Sequence, residues 1–193
     1  MIENVLTKKG LSFRVKVTVK SLILAGIIAL AVVLPQLVHL VAGAQGGVTW
    51  LPMYLPVLLG GCLLGWSWGL GIGVLSPVVS FLLTSAFASP MPAAARLPFM
   101  MLELAVFAGV SGLFAEKIAE NSWMAFPAVL LAAVAGRSVF MLAVVIFQSV
   151  TPFTPAVVLG QIRTGLFGLS LQAVVVPFIV MGLNSLLKKG DNE

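Results

Sequence analysis

Apolar runs of helix length follow one another along nearly the whole chain, and this limits what it can fold into more than any other feature. A helix rises about 1.5 Å per residue, so about twenty apolar residues cross a hydrocarbon core of about 30 Å. Such runs begin near residue 21 and recur to residue 187, separated by short segments carrying glycine, proline or charge. They lack the alternation over about ten residues that marks a lipid-facing barrel strand. Hydrophobic residues make up 60% of the chain and charged ones 9%, against roughly 25% charged in soluble domains. The expected fold is therefore an all-α integral membrane protein, a six-transmembrane-helix bundle.

The first span is predicted over residues 21–41, followed by a glycine-rich outer loop, AGAQGGVTW, over 42–50. LPMYLPVLLGGCLLGW (51–66) and GLGIGVLSPVVSFLLTSA (69–86) are two short spans separated by SW and interrupted by Gly and Pro. Interruptions of that kind usually lie beside a cavity. The loop FASPMPAAAR (87–96) precedes a fourth span from residue 97, EKIAENS turns the chain, and a fifth span covers about 123–147. After the loop QSVTPFTP, a sixth apolar stretch covers about 156–187, longer than a crossing needs, which implies tilt, a kink at Pro177 or emergence from the bilayer.

Six spans put both ends on one side. That side holds Lys8, Lys9, Arg14, Lys16, Lys20, Lys117, Lys188 and Lys189, and the opposite loops hold Arg96 alone. The positive-inside rule then makes both termini cytoplasmic. The net charge of +5 reports topology and attraction to anionic lipid rather than nucleic acid. The basic start resembles the n-region of a signal peptide, but the apolar run after it is too long, so it reads as a retained helix. The expected organisation is one membrane domain over 1–193, with a basic cytoplasmic segment (1–20), the bundle (21–187) and a cytoplasmic tail (188–193). The single cysteine, Cys62, allows no internal disulfide and no cysteine cluster for a metal. No cofactor is expected.

Three ionisable residues fall inside spans: Glu103, Arg137 and Arg163. Counting along the helices puts Glu103 and Arg163 both about 10 Å below the outer surface, a depth at which they can meet, and Arg137 about 15 Å down. A charge in hydrocarbon persists only if it faces protein or water and finds a partner. One ion pair tying helices together accounts for Glu103 and one arginine. The second arginine leaves a surplus positive charge, which favours a polar cavity holding a solute with a carboxylate or another anionic or electron-rich group. Gln161, Gln172, Ser138 and His39 add hydrogen-bonding capacity nearby. Trp50 and Tyr54, near an outer loop, are placed to cover a ligand.

GLGIG (69–73) is no phosphate cradle, because it lies inside an apolar span; it permits close helix packing instead. Ala25 and Ala29, four apart on the first span, have the spacing for close helix approach, and the sequence alone favours packing within the chain. His39 by itself makes no metal site.

LPMYLPVLLGGCLLG, WGLGIGVLSPVVSFLLT, LPFMMLELAVFAGVSGLF, AGRSVF and LQAVVVPFIV, in that order over about 21–187, resemble the substrate-binding S components of energy-coupling factor (ECF) transporters. The resemblance implies a subunit in the cytoplasmic membrane of a prokaryote that binds a small water-soluble vitamin or cofactor precursor from outside. It implies partners as well: a membrane scaffold subunit and two cytoplasmic ATPase subunits, with toppling in the bilayer to release the solute. Ala25 and Ala29 then contact the scaffold. The pocket is built from outer halves of the later helices under the loops 42–50 and 87–96, where Glu103, Arg137 and Arg163 fall, with Gln161, His39, Trp50 and Tyr54 beside them. The chain has no phosphate-binding loop with which to hydrolyse ATP itself. Two other readings stay open: a membrane enzyme using Glu103 as acid or base, for which one His and no Asp in any span is a thin inventory, and a structural protein whose ion pair only locks helices.

Overall fold

The computed structural model describes residues 2–8, 10, 12–87, 90–149 and 151–189, which are mostly helical and contain no strand. Lys9 and positions 190–193 of the expected tail lie outside the described residues. The helices are α1 (Ile2–Lys8), α2 (Phe13–Trp50), α3 (Tyr54–Leu64), α4 (Trp66–Ser85), α5 (Leu97–Leu113), α6 (Ala115–Glu120), α7 (Ala125–Phe147) and α8 (Pro155–Lys189). Six stretches are long and apolar enough to cross a membrane: Phe13–Gly43, Gln45–Leu64, Trp66–Ser85, Ala94–Leu113, Ser122–Phe147 and Pro155–Leu187. The chain is a six-span helical membrane protein.

Two connections differ from expectation. The stretch 42–50 is not an open loop but helix, broken only where Gly43 takes φ 64° and ψ −166°. That backbone suits glycine and strains other residues, so the chain reverses within one residue and the second span begins at once. Likewise the turn between the two short spans lies at Gly65, with φ 90°, and Ser67 and Trp68 are already in α4. A one-residue reversal uses fewer residues than a loop, which is how both short segments reach crossing length. At the N-terminus, part of the basic segment is a helix: α1 buries Ile2 and Leu6 against the core, Glu3 pairs with Lys20, and Lys16 Nζ donates to Thr7 Oγ1 at 3.1 Å.

α5 is the centre of the bundle, packing most extensively on α4, α7 and α3. Small residues allow it. A Cβ on Gly73 of α4 would stand 2.4 Å from the Leu104 carbonyl oxygen of α5, and one on Gly69 would stand 2.6 Å from that of Ala108. Packing through backbone contact is the means by which membrane helices associate when lipid removes the hydrophobic drive. On the other side, Gly136 of α7 makes room for the ring of Phe107, against which a Cβ would stand at 2.1 Å. These approaches bring α3, α5 and α7 close enough for their polar side chains to meet.

Candidate functional site

A cavity of about 250 Å³ opens at the end of the bundle opposite the termini. Pro35 and His39 of α2, the turn Leu51 to Tyr54, Ser80 of α4, Met91 and Pro92 of the connecting segment, and Arg96 and Met100 at the start of α5 line it. The segment before α5 is fastened across α4 by side chains one turn apart. Ser80 Oγ donates to the Met91 carbonyl oxygen at 2.8 Å, and Thr84 Oγ1 accepts from the Met91 N–H at 2.8 Å. Gln36 Nε2 approaches the Met91 sulfur at 3.8 Å. On the inner side, Gln172 Nε2 of α8 donates to the Leu51 carbonyl at 2.7 Å and the Trp50 carbonyl at 3.1 Å, fixing the turn that forms the wall.

Tyr54 belongs both to that wall and to a buried polar cluster behind it. Its hydroxyl donates to Glu103 Oε2 at 2.6 Å, and Glu103 Oε1 lies 2.7 Å from Arg137 Nη1. The Arg137 guanidinium also sits 5.2 Å from the centre of the Tyr54 ring, in range of a cation–π contact. Glu103 is fully buried and Arg137 is 7% exposed. Removing two charges from water costs several kcal/mol each. The pairing, the phenol hydroxyl and the ring face offset that cost. The offset is incomplete, since Arg137 Nε, Nη1 and Nη2 and Glu103 Oε1 have no partner in hydrogen-bond geometry. Arg137 Nη2 reaches α8 where Gly165 leaves space, 3.3 Å from the place of a Cβ.

The structure therefore gathers Tyr54, Glu103 and Arg137 into one cluster and puts His39 with Tyr54 on the cavity. It does not bring Arg163 to Glu103. Arg163 is exposed on α8 and has no ion-pair partner among the described residues. Gly165 is the α8 residue that faces Arg137, and Arg163 lies two positions away, about 200° around the helix. Gln161, one turn from Gly165 on the same face, is half-buried, and its Oε1 is buried without a partner. Trp50 is 43% exposed and stacks edge-on with Phe167 at 5.2 Å, away from the cavity lining. Ala25 and Ala29 are exposed, on a face of α2 with Leu22 and Leu30, so packing within the chain does not use them.

Sequence reasoning passed over Arg96, Ser80, Met91 and Met100. Arg96 served as a topology marker alone. Its signal was available in the two prolines of 87–96, which mark a constrained segment just before a span. Ser80 and Thr84, four apart in an apolar helix, are a second signal, because hydroxyls there need partners. No group of three or more His, Cys, Asp or Glu placed to hold a metal occurs among the described residues.

No characterised protein and no solved structure matches this chain significantly. Residues 20–180 match the model of a protein family described as ECF transporter, substrate-specific component.

Proposed function

The chain belongs to the substrate-specific components of ECF transporters, and from that premise we propose that it captures a small water-soluble vitamin or cofactor precursor in the cavity opposite the termini. Membership makes it a transporter component that works with an ECF module of scaffold and ATPases, and not a member of an enzyme family. The finer reading is that the solute enters from outside the cytoplasmic membrane of a prokaryote, with both termini in the cytoplasm. Transfer then proceeds through the scaffold subunit, driven by the two ATPases.

One observation carries the solute-binding reading: a cavity of about 250 Å³ lies under a strapped segment and is lined by apolar side chains with a few polar groups among them, the make-up of a small-ligand site. His39 and Tyr54 line it directly. Glu103 and Arg137 act on it through Tyr54, holding its phenol in place. The exposed face around Ala25 and Ala29 supports docking on the scaffold, because small residues let another helix come close.

A screen of vitamins by thermal unfolding of the purified chain tests this. One solute is expected to stabilise it, by about 2.7 kcal/mol at a hundredfold excess over Kd. Ala25→Trp with Ala29→Trp is expected to keep that response and lose co-purification with the scaffold. A folded chain that no solute stabilises would contradict the proposal. It would favour the helix-locking role of the Glu103–Arg137 pair, whose burial suits such a role.

A further inference from the structure

The charges around the cavity do not balance, and the imbalance sits on a residue to which no role has been given. Glu103 is matched by Arg137 at 2.7 Å, so this pair contributes no net charge. Arg96 lines the cavity, has no ion-pair partner among the described residues, and none of the other lining residues is acidic. Its Nε is buried without a hydrogen-bond partner, so the guanidinium is withdrawn from water on one side. Its backbone is fixed in the turn Ala94–Arg96, where the Arg96 N–H donates to the Ala93 carbonyl at 2.8 Å. Arg96 and Met100, four apart, also turn the first turn of α5 toward the cavity, and the positive end of that helix dipole adds to the same potential.

We propose that Arg96 is the anion receptor of this cavity and that the solute is a small monocarboxylate with a largely apolar body. A planar guanidinium with five N–H donors matches a carboxylate in two-point contact. The body would lie against Met53, Met91 and Met100, whose flexible thioethers adapt to irregular shapes. The same surplus charge disfavours cationic solutes, which would meet repulsion with no acidic group in the cavity lining to relieve it. The inference rests on the solute-binding reading above, and it places the surplus charge on Arg96 rather than on either of the arginines inside the spans, Arg137 and Arg163.

The test uses the full chain in detergent and matched probes that differ in the acid group: nicotinate and nicotinamide, pantothenate and pantothenol, biotin and biotinamide, lipoate and lipoamide, with thiamine as a cation. Thermal unfolding and equilibrium dialysis are measured on the wild type, Arg96→Gln and Arg96→Lys. One acid is expected to bind and its uncharged counterpart to fail. Arg96→Gln should weaken that acid by about ten- to a hundredfold, and Arg96→Lys should retain part of the affinity. Should Arg96→Gln not fold, discrimination between acid and uncharged counterpart by the wild type and Arg96→Lys still decides. Equal binding of an uncharged counterpart, binding of thiamine, or undiminished binding by a folded Arg96→Gln would overturn the anion assignment and leave the cavity as a solute site. A folded chain that responds to none of these probes but to another vitamin of the screen would overturn this inference and keep the solute-binding reading, and one that responds to no solute at all would overturn both.

Discussion

At Glu103, a carboxylate is held at the centre of an apolar bundle by groups from two other helices: Tyr54 of α3 donates to one oxygen and Arg137 of α7 faces the other. Removing one member leaves the other charge buried and alone. Glu103→Gln is therefore expected to destabilise the protein by about 3–5 kcal/mol, read as loss of thermal stability in detergent. Replacing both charges by apolar residues of similar length, Glu103→Leu with Arg137→Met, should cost less than either single change; losses that simply add would show that the two residues do not act as a pair. The presence of a partner for Glu103 was legible in the sequence, because an unpaired charge at that depth is too costly. Which arginine it would be was not. Counting gives depth along a helix, whereas the direction a side chain faces depends on which residues pack, and here Gly165 rather than Arg163 turns toward the cluster.

Among the helices, α5 touches α4 through glycines, and neighbouring glycines of one motif differ in what they do. Gly73 stands against the Leu104 carbonyl, while at Gly71 a Cβ would meet nothing within 4 Å. Gly73→Ala is accordingly expected to push α4 from α5 and cost about 1–3 kcal/mol. Gly71→Ala is expected to be neutral or to stabilise by up to about 1 kcal/mol through helix propensity. Unfolding temperatures of the two variants check this, and equal losses would contradict the packing described. The six spans and the packing role of GLGIG could be read from apolar run length and small-residue spacing. The helical course of 42–50 could not, because glycine-rich composition signals a loop while the actual reversal uses Gly43 alone. α1 was hidden for a related reason: it is only seven residues long, it leads into a basic stretch, and only Ile2 and Leu6 carry its buried face.

For the molecule as a whole, charge is sorted by position. Lys20 and Glu3 pair at the end with the termini, and Arg96 stands at the other beside the cavity. The buried Glu103 and Arg137 in between are paired, so the end opposite the termini presents a cavity with an unmatched cation and α2 presents an exposed small-residue face. A binding subunit needs both a solute site and a surface for its partner, and here they are at separate places. The central claim is that this cavity is the solute site, and Gly47 gives the most direct access to it, since it lines the cavity and a Cβ there would meet no atom within 4 Å. Gly47→Phe would fill the space without displacing backbone. Saturation binding of the solute that stabilises the wild type is expected to show one site per chain, lost in Gly47→Phe while its unfolding temperature without solute stays unchanged; unaltered binding by that variant would contradict the claim.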